Sequence, residues 1–132
     1  MTGKITVRTA ARCQMIDITR EVEAELKKMG ADEGLCSVYV THTTAGVTIN
    51  ENADPDVVRD LLMGLEKIAP DRGDYRHAEG NSPAHIKSSL VGASATVLVS
   101  GGRLVLGTWQ SVFFCEFDGP RNRTALVKYI RG

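Results

Sequence analysis

Between Ser94 and Arg131 four strand-like segments follow one another with no helical pattern between them. Parallel strands need a crossover of a dozen or more residues, so strands this closely spaced pair as antiparallel neighbours. Gly101-Gly102 separates Ser94–Ser100 from Arg103–Leu106 and is a hairpin signal. Thr108–Asp118 and Thr124–Arg131 complete the run. Upstream, Gly3–Thr9 alternates as a strand, with Ile5 and Val7 on one face. Asp17–Gly30 reads as a helix, because Ile18, Val22, Leu26 and Met29 recur at helical spacing and Gly30 ends it. Leu35–His42 and Val47–Asn50 return to strand character around the Gly46 bend. Asp54-Pro55 opens a second helix, Asp as cap and Pro at the first helical position, which runs through Leu65 and Ile68 to Pro70. Asp71–Pro83 reads as a long loop, and Ala84–Leu90 as a short third helix ended by Gly92. The expectation is one α+β domain built on a mainly antiparallel sheet.

Several function classes fall away. The 16 basic and 16 acidic side chains cancel, so the chain lacks the basic field that non-specific nucleic-acid binding needs. No apolar run is long enough to span a membrane, and Met1-Thr2-Gly3-Lys4 leads into an alternating segment rather than a signal peptide, so a cytoplasmic location is expected. There is no dinucleotide or phosphate-binding glycine loop. Cys13, Cys36 and Cys115 form no C-x-x-C pair and are expected to be reduced, packed thiols.

Chemistry can gather at three places. The three histidines, His42, His77 and His85, each lie beside polar residues. Cys36, Val38, Val40 and His42 share one strand face by period two, so His42 closes an apolar face and points inward, followed by Thr43 and Thr44. His77 and His85 bracket Ala78-Glu79-Gly80-Asn81-Ser82-Pro83-Ala84. Three imidazoles with an open fourth position are the pattern of a catalytic zinc site, although the spacing equally allows three independently hydrogen-bonded histidines. Second, Val112–Phe117 is apolar on both faces, which leaves Glu116 where an ionised carboxylate needs a partner. It is read as paired with a nearby arginine, or as an acid/base or metal-supporting carboxylate. Third, Arg121 and Arg123 flank a Gly119-Pro120 turn and suit bidentate contact with carboxylate or phosphate, unless they are simply solvated. Asn50-Glu51-Asn52 before Asp54 is dense in oxygens, for which helix capping and cation coordination are the two readings.

Three ordered blocks carry a resemblance. The first is His42-Thr43-Thr44-Ala45-Gly46-Val47-Thr48-Ile49-Asn50-Glu51-Asn52 with Asp54-Pro55-Asp56. The second is His77-Ala78-Glu79-Gly80-Asn81 with Ala84-His85-Ile86-Lys87-Ser88-Ser89-Leu90. The third is Gly107-Thr108-Trp109-Gln110 with Glu116-Phe117-Asp118-Gly119-Pro120-Arg121. Together they resemble the YjbQ-like family, UPF0047. The resemblance implies an α+β fold with a barrel-like antiparallel core, a homotrimer, and a metal held by His42, His77 and His85. Zinc is the expected metal, with magnesium possible for a phosphate substrate. It also implies a weak thiamine-phosphate synthase activity, in which a pyrimidine diphosphate is joined to a thiazole phosphate. Under that reading Glu116 and Glu79 are the acid/base candidates, and Arg121, Arg123, Asn52, Asn81, Gln110, Thr43 and Thr44 the substrate-binding ones.

The function expected is therefore a metal-dependent enzyme acting on a small anionic or phosphorylated molecule. Imidazole ligands suit zinc, whereas diphosphate departure is more often assisted by oxygen-ligated magnesium, a mismatch that fits a side activity better than an evolved one. Metal-assisted hydrolysis, with Glu116 or Glu79 as base, is a second reading. A trimer that binds a metal or metabolite without turnover is a third. The two apolar faces of Val112–Phe117 and the family resemblance place the site near a subunit interface.

Overall fold

A computed structural model describes residues 2–132. The first strand, β1 (Thr2–Arg8), is followed by β2 (Gln14–Asp17), helix α1 (Thr19–Lys28), β3 (Gly34–Val40), β4 (Ala45–Glu51) and α2 (Pro55–Ile68). Then come α3 (Ser82–Val91), β5 (Ser94–Ser100), β6 (Arg103–Leu104), β7 (Gln110–Glu116) and β8 (Asn122–Arg131). Every strand pairing is antiparallel. The strands form a five-stranded sheet in the order β1-β8-β3-β5-β6 and a three-stranded sheet in the order β2-β7-β4. Both are curled, so the barrel-like expectation resolves into a half-barrel of two facing sheets.

Period-two alternation explains how the sheets meet. On the five-stranded sheet, Ile5, Val7, Cys36, Val38, Val40, Val97, Val99, Ala125 and Val127 are buried on the inner face. They join Val47, Val112 and Phe114 of the smaller sheet, Val22 and Leu26 of α1, and Ile18 just before that helix, in one apolar cluster. The other face of β7 presents Phe113 and Cys115, continued by Phe117 just beyond the strand, to a second cluster with Ala84 of α3 and Val58, Leu62 and Leu65 of α2. Both apolar faces of β7 are thus covered within one chain, and they supply no argument for an assembly. Burying an aromatic or branched aliphatic side chain contributes about 1.5–3 kcal/mol, which makes this double-sided strand the centre of the fold.

Several element ends move from where local pattern places them. The strand β2 has no pattern of its own; its four residues are extended because they pair with Phe113–Glu116 of β7. The last strand begins at Asn122 rather than Thr124, since Arg8 and Val7 of β1 pair with Asn122 and Arg123. The second helix starts as expected, with the Asp54 side chain accepting from the Asp56 N–H. Gly46 permits close approach of α3: a Cβ there would sit 2.6 Å from the Gly92 carbonyl oxygen. The three cysteines are free thiols, Cys36 and Cys115 buried and Cys13 half-buried. Burial pushes the Cys36 thiol up to about 11 and the Cys115 thiol up to about 12, as packed, unreactive thiols require. No helix among the described residues is long and apolar enough to cross a membrane.

Candidate functional site

Three chain segments converge around the turn that carries the chain from β7 in one sheet to β8 in the other. His42, Thr43 and Thr44 lie in the link from β3 to β4. Asp118 and Arg121 lie in the turn from β7 to β8, with Arg123 already inside β8. His77, Glu79 and Asn81 precede α3, and His85 stands in its first turn. All ten residues line one polar cavity of about 440 Å³. The three histidines, Thr43, Thr44, Glu79, Asn81, Arg121 and Arg123 are therefore brought together as expected. Gln110 and Asn52 are not. They belong to the opposite end of the β4–β7 ladder, where Glu51 pairs with Gln110 while Ala45 pairs with Glu116. Gln110 accepts from the Gly107 N–H and Asn52 donates to Asp17, so both act as local structural ties.

Beneath the cavity is a buried ion pair. Glu116 is fully buried and Arg123 is 5% exposed. Arg123 Nε donates to Glu116 Oε1 at 2.8 Å, and Nη2 donates to Glu116 Oε2. Thr9 Oγ1 donates to Oε1 at 2.8 Å and the Asp118 N–H to Oε2 at 3.0 Å, so both carboxylate oxygens are saturated. Burial pushes the Glu116 carboxyl up, but Arg123, the Asp118 N–H and the Thr9 hydroxyl together outweigh it and hold the carboxyl below its ordinary value. Glu116 is the charge partner of Arg123, which corrects its candidacy as acid, base or metal support. Arg123 Nη2 also donates to Thr44 Oγ1 at 2.8 Å. Its Nη1 has no acceptor among the described residues. The single sealed side-chain polar atom without a partner among the described residues is Asn81 Oδ1, so Arg123 Nη1 is open to the cavity.

Asp118 organises the rim. Its Oδ2 accepts from Asn81 Nδ2 at 2.9 Å and from Arg121 Nη2 at 3.0 Å, and its carbonyl oxygen accepts from Arg121 Nε at 2.7 Å. The amide of Asn81 is thereby fixed, and its sealed Oδ1 is a stored penalty of about 1–3 kcal/mol. Asp118 and Thr9 were not among the sequence candidates. The signal for Asp118 was its place one alternation beyond Glu116; for Thr9, 107 residues from Glu116, there was none.

The histidines share the cavity but not the geometry of a common ion. His77 and His85 stand edge to face with ring centroids 5.4 Å apart. His42 Nε2 accepts the Thr124 N–H at 2.9 Å. The β3–β8 ladder ends with Val40 opposite Ala125, so the ring takes the place of the carbonyl that a longer β3 would supply to Thr124. A ligand nitrogen needs a free lone pair, and this one is occupied. Among the described residues no group of three or more His, Cys, Asp or Glu side chains is arranged to hold a metal. The expected three-histidine zinc site does not fit this donor set, nor do hard-oxygen ligands gather for magnesium. What holds the His42 ring is the Thr124 N–H rather than Glu116, Glu79, Asn52 or the Thr43 and Thr44 hydroxyls. Burial and the nearby Arg123 push the His42 imidazole below its ordinary value, although Glu116 opposes them.

Comparison with known proteins places this arrangement in a family. Residues 3–132 match the family described as UPF0047 protein YjbQ-like. The UPF0047 protein YugU of Bacillus subtilis is 54% identical over 129 residues, which are 97% of this chain and 98% of that protein. A UPF0047 protein of Methanocaldococcus jannaschii is 47% identical, covering 98% of this chain and 94% of its own. Among solved structures, a YjbQ/UPF0047 family protein of Clostridium acetobutylicum is 51% identical, with TM-score 0.94 and coverage of 96% of this chain and 98% of that one. A YbjQ-like protein of Sulfolobus solfataricus keeps a TM-score of 0.95 at 32% identity, over 100% of this chain and 97% of its own.

Proposed function

We propose that this chain, which belongs to the UPF0047 YjbQ-like family, is an enzyme that binds a small phosphorylated or otherwise anionic substrate in the histidine-lined cavity and exchanges protons with it. The observation that carries this reading is Arg123. A guanidinium stays charged at any physiological pH, and here Glu116 and Thr44 hold it rigid while Nη1 remains unpaired toward the cavity. A donor fixed in advance binds an oxyanion without the ordering cost of a free side chain. Arg121, exposed on the rim and steadied by Asp118, is a second contact for the same anion. His77 and His85 are the proton carriers, since imidazole both gives and takes a proton near neutrality, and Glu79 is the nearby carboxylate on the same wall. Thr43 lines the same cavity.

Joining a pyrimidine diphosphate to a thiazole phosphate, the reaction suggested by the family, belongs to this class. Arg123 and Arg121 would take the departing pyrophosphate, and a histidine would hand it a proton, since the thiazole nitrogen attacks through its lone pair and has no proton to release. Because His42 is engaged by Thr124, the reading rests on this chain's own groups rather than on a zinc ion. Assembly of three copies is part of the proposal. It is supported by Leu35, Leu98 and Ile130, which lie side by side across β5, β3 and β8 and are 39%, 60% and 52% exposed.

The test is calorimetric titration of the purified protein with inorganic pyrophosphate and phosphate, with and without a chelator, beside an assay of pyrophosphate release from the two thiamine precursors. Saturable pyrophosphate binding that survives chelation supports the reading. Absence of binding up to millimolar pyrophosphate overturns it. Binding abolished by chelator and restored by zinc or magnesium would replace it with a metal-dependent site.

A further inference from the structure

We infer that His42 is a fixed hydrogen-bond donor to the bound anion, presenting Nδ1–H to the cavity, and is neither a metal ligand nor a proton-transfer group. The inference rests on the anion-binding reading above and assigns a residue within it. A backbone amide can only donate, so the nitrogen that accepts the Thr124 N–H at 2.9 Å carries a lone pair and no proton. Neutral imidazole has one N–H, which must then be on Nδ1. A histidinium would place a second N–H against the Thr124 N–H and close to Arg123; this is the direction in which burial and Arg123 already push the ring. The charged groups that act on it are Arg123, Glu116 and Arg121, and Glu116 is committed to Arg123.

Nδ1–H has no acceptor among the described residues, and it is not a sealed atom. His42 lines the cavity together with Arg123, whose Nη1 is a second unsatisfied donor there. Two rigid donors, one cationic and one neutral, with Thr43 and Thr44 lining the same cavity, make a cradle for the oxygens of one phosphate or carboxylate. Neither donor depends on a long mobile side chain, since β8 holds both: Thr124 orients His42, and Arg123 is its chain neighbour. In the three-histidine zinc arrangement His42 would have to release Thr124; in this one it releases nothing.

Two readouts test the assignment separately. In histidine-¹⁵N-labelled protein, long-range proton–nitrogen correlation at neutral pH is expected to show one ring with a protonated Nδ1 and a bare Nε2, assigned by its loss in His42→Ala. Addition of pyrophosphate should move that Nδ1 signal, and addition of zinc should leave that Nε2 unmoved. In titrations, His42→Ala should weaken pyrophosphate binding on the order of tenfold, the worth of one hydrogen bond to an anion. His42→Asn, which keeps a donor at the δ position, should recover most of the loss. An Nε2–H tautomer, a zinc-shifted Nε2, or unchanged affinity in His42→Ala overturns the assignment while leaving anion binding in place. A wild type that binds no pyrophosphate removes the anion-binding reading and the donor role together, and the tautomer spectrum still reports whether Thr124 holds the ring.

Discussion

Replacing Glu116 by Gln removes one negative charge from a fully buried pair and changes almost nothing in size. The consequence can be worked from the four donors around the carboxylate: Thr9 Oγ1 and Arg123 Nε on Oε1, and Arg123 Nη2 and the Asp118 N–H on Oε2. A glutamine amide has one oxygen and one NH2. Whichever way it turns, the NH2 faces an N–H of Arg123, so a donor meets a donor. The Thr9 hydroxyl can reverse and accept, but the Asp118 N–H cannot. Arg123 meanwhile stays charged and 5% exposed, without its counter-ion. Breaking a buried pair in this way costs about 3–5 kcal/mol. For a chain of this size that lowers the melting temperature by about 10–18 °C and the urea midpoint by about 2 M. The assay is urea unfolding followed by tryptophan fluorescence, with thermal melts as a second measure. The double variant Glu116→Leu/Arg123→Met should recover most of the loss, because the penalty belongs to an unpaired charge rather than to a missing attraction. Acidification supplies a further check. The folded-state carboxyl titrates below its ordinary value, so its contribution is complete above that value and is lost as pH falls through the depressed one. Wild-type stability should therefore fall more steeply in acid than that of Glu116→Gln. A single variant that loses less than about 1 kcal/mol, well under the range expected for breaking a buried pair, refutes the reasoning.

Arg121→Lys keeps the charge but loses the fork that donates to both the carbonyl and the carboxylate of Asp118; pyrophosphate affinity should fall several-fold in calorimetry, and an unchanged affinity would confine Arg121 to tying the turn. Gly46→Ala should destabilise by about 1–3 kcal/mol in urea unfolding, because the new methyl meets the Gly92 backbone and α3 must shift away from β4; a neutral effect would mean that this contact is loose. Leu35→Lys/Leu98→Lys should convert a trimer to monomers in light scattering while the far-ultraviolet dichroism stays unchanged, since both side chains point away from the core; a wild type that is monomeric at micromolar concentration would remove the assembly proposal. Stability should also decline as pH drops below about 6.5, since the folded state disfavours protonated His42 and the unfolded chain does not; His42→Asn should flatten that decline.

Local pattern was enough for the fold class, because alternation and turn chemistry are short-range properties. The four closely spaced C-terminal strands required antiparallel pairing, Asp54-Pro55 started α2 where expected, and the two-faced apolar run around Phe113 and Phe114 announced a strand buried on both sides. The three sequence blocks also brought the histidines, Asn81 and Arg121 into one list before any geometry was known, and the Gly119-Pro120 turn added Arg123. Tertiary structure decided where each of them lies and which partners it meets. The four residues of β2 became a strand only by pairing with β7, some hundred positions away. Gln110 and Asn52 left the site because sheet register, invisible in a single sequence, puts them at the far end of β4 and β7. Glu116 changed from a candidate base to a counter-ion because β7 and β8 bring it against Arg123 with Thr9 closing the pair. His42 changed from a candidate ligand to the acceptor of the Thr124 N–H because β3 stops at Val40 and leaves that amide to its ring. Residue types state which bonds a side chain is able to make; which of those bonds are already taken depends on partners that only the folded chain brings within reach.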